Sequence, residues 1–159
     1  EALDLDYKKV KIYQDGLPVC GKELEIVKDI AHRGGKNHKL ILTLLEKGAT
    51  LEGTEDVKLL LNEYNYVKAA LQEKKVAGDP VAEVFRPPSG SLKASVTSNS
   101  GRLKPHLTER GKDILIKRDK FIAKRIDKTL NNGWVGICFI GAEHKMDKYL
   151  PKDIKVTYI

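Results

Sequence analysis

Glu143 and His144 stand side by side just after an apolar run that ends in Gly141-Ala142. A neutral imidazole can move a proton or ligate a metal near neutral pH, and a carboxylate beside it can serve as base or second ligand. Small residues ahead of the pair let a ligand or another backbone approach closely. A second concentration of acid lies in "EGTED", where Glu52, Glu55 and Asp56 crowd together. If both segments leave one sheet at the same edge, Glu55 could face His144. Arg118 and Arg125 are seven apart and share a helical face. Their planar guanidinium groups suit a bidentate grip on an anionic substrate group. Each feature also has a plainer account. His144 could be a loop ring bonded to backbone, Glu143 a solvated rim charge, Asp56 a helix cap. The arginines could pair with Asp119 or Asp127.

The remaining reactive groups are weaker candidates. His32 falls at a helix end, where a cation suits the helix dipole, and His38 at a helix start. Cys20 and Cys138 sit in or beside apolar runs, without a Cys-x-x-Cys or metal-type spacing. They read as buried, reduced thiols of a cytoplasmic protein. The stretch "SGSLKASVTSNSGR" has hydroxyls and glycines that could cradle an anion and close over a site. It lacks the Gly-Lys-Ser/Thr of a phosphate-binding loop, so a nucleoside triphosphatase is rejected. Gly-x-Ser-x-Gly is absent, which argues against a serine hydrolase elbow. No dinucleotide fingerprint follows the first strand.

These residues need elements to hold them. "VKIY" reads as a strand running into a Gly16–Pro18 turn. Leu24, Val27 and Ala31 recur at helical spacing until "RGG" at 33–35. A second helix opens near Asn37, carries Leu40, Ile41, Leu44 and Leu45, and stops at Lys47-Gly48. Thr50 to Gly53 reads as a short strand, followed by a helix over about 56–75 with Val57, Leu60, Leu61, Tyr64, Val67 and Leu71 on one face. Residues 76–105 have no pattern and read as a flexible loop, within which "LKASVT" is a candidate brief strand. A long helix opens at Thr108, a natural cap, and stops at "NNG" 131–133. Gly111 weakens its first turn by ~1 kcal/mol. "WVGICFIG" is apolar throughout rather than alternating, and reads as the central strand of a parallel sheet covered on both faces. "IKVTYI" alternates and reads as a last strand. The expected class is α/β, a mostly parallel sheet flanked by helices with one long irregular loop. In such sheets ligands bind beyond the carboxyl ends of the strands, where Gly141 and His144 fall.

The bulk properties narrow the partners. With 159 residues, 41% hydrophobic and 32% charged, the chain fits a soluble globular domain. It reads as one α/β domain over 1–159 or, since it begins with Glu1, as the C-terminal part of a longer chain. No apolar run approaches the ~20 residues of a membrane span, so no membrane partner is expected. The net charge of +7 is uneven: residues 1–88 carry 14 basic and 15 acidic groups, residues 89–159 carry 15 and 7. A positive half suggests an anionic partner.

One longer stretch carries a resemblance. In "RDKFIAKRIDKTLNNGWVGICFIGAEH", residues 118–144, Arg118-Asp119 opens a helical segment with small Ala123 a few positions on. A hydrophobic strand then ends in Gly141-Ala142-x-His144. This resembles the carboxyl-terminal signature of TraB-like proteins and the wider erythromycin-esterase-like group. The resemblance implies hydrolase chemistry, in some branches metal-dependent proteolysis. It also implies a histidine partnered by a strand-end glutamate, for which Glu55 stands, and by a second Gly-x-x-His. That spacing occurs at Gly35–His38, between helices rather than at a strand end. Two functions follow as expectations. One is a hydrolase of a small-molecule or peptide substrate: His144 as base or ligand to a divalent metal, Glu55 or Glu143 assisting, Arg118, Arg125 and Gly141 binding substrate. The other is a non-catalytic module that uses the basic helix 112–128 to bind nucleic acid or another polyanion. Phosphate-driven binding of that kind is steeply salt-dependent.

Overall fold

A computed structural model describes residues 5–76 and 108–158. The flexible loop expected over 76–105, with its candidate strand "LKASVT", lies almost wholly outside them. Three parallel strands form one sheet in the order β2-β1-β3: β1 (Val10–Gln14), β2 (Thr50–Glu52) and β3 (Val135–Phe139). Four helices accompany them: α1 (Glu23–His32), α2 (Lys36–Glu46), α3 (Val57–Val76) and α4 (Glu109–Thr129). The α/β class is therefore as expected, with every strand pair parallel. No helix among the described residues is long and apolar enough to cross a membrane.

Alternation along β1 sets the two layers. Val10 and Ile12 pack with Val27 of α1 and Ile41 of α2, while Tyr13 packs on Ile122 and Ile126 of α4. Successive side chains point to opposite faces, so the sheet separates α1 and α2 from α4. Asp15 follows Tyr13 by two residues and continues toward the α4 side, which positions the site.

Two strand assignments differ from expectation. β1, not β3, is central; among the described residues β3 is paired on one side only. Its apolar run arises because Ile137 and Phe139 meet the α1–α2 core while Cys138 meets the α4 core. Hydrophobicity on both faces reports coverage by helices and carries no information about neighbours in the plane of the sheet. Residues 154–158 of "IKVTYI" join no ladder. Ile154 packs on the α4 core but Val156 and Tyr158 are exposed, so the alternation of this segment marks neither a ladder nor a buried face.

The helix ends obey local chemistry. Thr108 accepts a hydrogen bond from the Gly111 amide at 3.0 Å, and Asp56 accepts from the Lys58 and Leu59 amides at 2.9 and 3.0 Å. Gly53 marks a close approach. A Cβ there would stand 2.9 Å from the Val19 Cα and 3.0 Å from the Pro18 carbonyl oxygen. That contact lets the turn after β1 lie along the exit of β2. There the Thr54 and Glu55 amides donate to the Leu17 carbonyl, and the Val19 amide donates back to Glu55.

Candidate functional site

All three strands leave the sheet at one edge, because all three are parallel. β1 delivers Asp15, β2 delivers Glu55, and β3 delivers Gly141 and His144. α4 lies across this edge and contributes Arg118 and Asp119. Adjacent helical residues diverge by about 100°, so these two reach different partners. Arg118 turns toward β2 and Asp119 toward the loop after β3.

Arg118 is the hub. Its Nε and Nη2 donate side-on to the two oxygens of Glu55, at 3.2 and 2.6 Å. Nη2 also donates to Asp15 Oδ1 at 2.6 Å, and Nη1 to Glu63 of α3 at 2.7 Å. Glu55 is wholly buried, whereas the Asp15 and Glu63 side chains are 25% and 34% exposed. Burial alone would loosen the guanidinium's hold on its proton; the carboxylates of Glu55, Asp15 and Glu63 reverse this and raise it. On Glu55 the balance differs. Burial pushes its carboxyl up from the ordinary value, the charge of Asp15 adds to that, and Arg118 pulls back only in part.

His144 is the second centre. Its Nδ1 meets Asp119 Oδ1 at 2.5 Å and its Nε2 lies 3.4 Å from Asp15 Oδ1. The other oxygen of Asp119 accepts the Lys145 amide at 2.9 Å, so both sides of that carboxylate are anchored to the loop that carries His144. Burial would pull the ring's affinity for a proton down. Hydrogen bonds to Asp119 and Asp15, with the charge of Asp15, outweigh burial and the repulsion of Arg118, and hold it up at about 9. Asp15 mirrors this. Burial would push it up, yet the His144 hydrogen bond and the Arg118 charge hold its carboxyl down at about 2. At neutral pH the site therefore presents an imidazolium against an ionised carboxylate.

The residues singled out from sequence can now be placed. Glu55, Arg118, Gly141 and His144 meet at this edge. Glu55 reaches His144 only through Arg118 and Asp15, because β1 lies between β2 and β3. Glu143 is exposed, and the carboxylates on the His144 ring are those of Asp119 and Asp15. Both arginines are engaged by the chain itself. Arg125 donates to the Gly53 carbonyl at 3.1 Å and to Glu52 at 3.3 Å, bracing the end of β2. His38 lies in the first turn of α2, beside Gly35, and takes no part in these contacts. Cys20 is exposed, contrary to expectation, because it sits in the turn before α1 rather than in the core. Cys138 is half-buried, and burial with the nearby negative charges pushes its thiol up to about 12, so it stays protonated.

The donor set does not suit a metal ion. Among the described residues no three His, Cys, Asp or Glu side chains are grouped as an ion would require.

Three participants were not anticipated: Asp15, Glu63, and Asp119 as the partner of His144. Asp15 had a signal, since it leaves a strand at the same edge as Glu55. Glu63 had none, because only tertiary packing brings α3 against Arg118. No family model, curated protein or solved structure matches the chain.

Proposed function

We propose that the chain is a hydrolase of a small-molecule or peptide substrate, in keeping with its resemblance to the TraB-like and erythromycin-esterase-like proteins, and that His144 is its proton donor. The observation that carries this reading is the ring held between Asp119 and Asp15 at the carboxyl edge of a parallel sheet, where α/β enzymes place their chemistry. Asp119 fixes the ring through Nδ1 and leaves Nε2 as the working nitrogen. Asp15 Oδ2 accepts a long contact, 3.4 Å, from the Gly141 amide and retains acceptor capacity for a water. In the step proposed, that water adds to the electrophilic centre and the bond to the leaving group breaks. The leaving group departs with the imidazolium proton, and the surplus proton of the water returns to the ring. No metal enters, in line with the donor set.

The test is turnover of nitrophenyl esters, nitrophenyl phosphate and a casein-derived peptide mixture by the wild type, His144→Gln and Asp119→Asn. The expected result is hydrolysis of at least one class, lowered about 10²–10⁴-fold by His144→Gln. Cooperative unfolding of the variant would separate lost chemistry from lost fold. A wild type inert on every class, or a variant as fast as the wild type, would refute the reading.

A further inference from the structure

We propose that the outward face of α4, continued by the segment after β3, binds single-stranded nucleic acid, with lysines on the phosphates and tyrosines as stacking faces. This is independent of the hydrolase reading and uses none of its residues. Lys117, Lys120, Lys124 and Lys128 are all exposed and fall on one side of α4. They span about 16 Å at the helical rise of 1.5 Å per residue. The 3-10 turn Met146–Tyr149 packs against α4, and exposed Lys145 and Lys148 extend the positive surface. None of these six lysines has a carboxylate partner among the described residues. Glu109, Asp113 and Asp127 are exposed on the same helix, and the six lysines outnumber them. Arg118 and Arg125 contribute nothing outward, since both are spent on the sheet side, while Arg110 in the first turn is exposed and lies over the Tyr66 ring.

Aromatic rings complete the surface. Tyr149 is 39% exposed and lies 5.5 Å from Lys120 Nζ, so one phosphate-seeking cation and one ring already adjoin. Tyr158 is 75% exposed and lies against Asp147 of the same turn. Unpaired bases offer faces for such rings, and phosphates offer charge to the lysines. A bilayer fits less well. The large aliphatic side chains exposed nearby are Ile116 and Val156, too few to form the continuous apolar face that an interfacial helix inserts.

The experiment is fluorescence anisotropy of a labelled oligothymidylate of about 20 nucleotides, titrated with the whole chain at about 50 and about 200 mM salt. With four phosphates neutralised and a slope of about −0.7 each, binding should weaken roughly 50-fold between the two. Lys117→Glu, Lys120→Glu and Lys124→Glu together should abolish it. Tyr149→Ala should weaken it at least about five-fold without changing the salt slope. The proposal fails if no binding is seen at the lower salt, or if the triple variant binds like the wild type. It fails equally if phosphatidylserine vesicles or duplex of the same length bind more tightly than the oligomer.

Discussion

Replacing Arg118 by methionine would test the physical core of the site. The side chain is close to isosteric along its stem, so the change is mainly electrical. It leaves Glu55, wholly buried, without its only cation among the described residues, while Asp15 and Glu63 can still reach water. A contact-distance charge pair is worth about 4 kcal/mol at an effective dielectric of about 20. Removing one partner of a buried pair costs about 3–5 kcal/mol, because the survivor stays buried and unpaired. Against a total stability of about 5–15 kcal/mol, that is a large fraction. The penalty has a pH signature. Glu55 already sits above its ordinary 4.5 when folded, and losing Arg118 raises it further. A carboxyl whose folded value lies above its unfolded value opposes folding at high pH, and the opposition fades as pH falls and the folded form takes up its proton. Urea unfolding should therefore show Arg118→Met least stable relative to wild type near pH 7, with the gap narrowing by pH 5. Adding Glu55→Gln should recover at least about 1.5 kcal/mol, since it removes the stranded charge. A single variant within about 1 kcal/mol of wild type, or a double variant no better than the single, would show that Glu55 is not held by Arg118 as argued.

Two further outcomes follow from the same electrostatics. His144 lies at about 9 when folded against 6.5 in the free chain, so it contributes roughly 3 kcal/mol that is complete below pH 6.5 and is lost as pH rises through 9. Urea midpoints of the wild type should fall between pH 7 and 10, and those of His144→Gln should stay flat over that window; parallel curves would count against the charged ring. Iodoacetamide at pH 8 should label exposed Cys20 and spare Cys138 until urea unfolds the chain, as mass spectrometry would read; rapid labelling of both in the native state would contradict the environment assigned to Cys138.

Local physics made most of the fold legible. The four helices declared themselves through 3.6-residue periodicity and the caps Asp56 and Thr108. β3 declared itself through an apolar run, and β1 and β2 as short segments bounded by turn or cap signals. Strand order did not, because an apolar face records what packs above and below a strand and not what pairs beside it. β3 therefore looked central and "IKVTYI" looked like a strand. The site divided along the same line. Glu55, Gly141 and His144 were readable because strand exits are a local property. Asp15 was readable by the same rule, since it leaves β1 at the edge where Glu55 leaves β2. Asp119 was visible as part of the Arg118-Asp119 pair, and the natural guess was that the two neutralise each other. A helix forbids that, since residues i and i+1 do not face one another.

That divergence explains why the site has two centres. Side by side in sequence, Arg118 gathers the exits of β1 and β2 through Glu55 and Asp15, while Asp119 gathers the exit of β3 through His144. Asp15 alone touches both, with one oxygen on the guanidinium and 3.4 Å from the imidazole. The four carboxylates outnumber the two cations, so the surplus negative charge falls hardest on the group with least access to water. That group is Glu55, and burial accordingly pushes its carboxyl up while Asp15, partly exposed and flanked by both cations, stays ionised. One sheet edge thus holds a reluctant carboxylate, a willing one and a charged imidazole in fixed order. Environments that drive neighbouring titratable groups apart in this way are what acid–base chemistry requires of a fold.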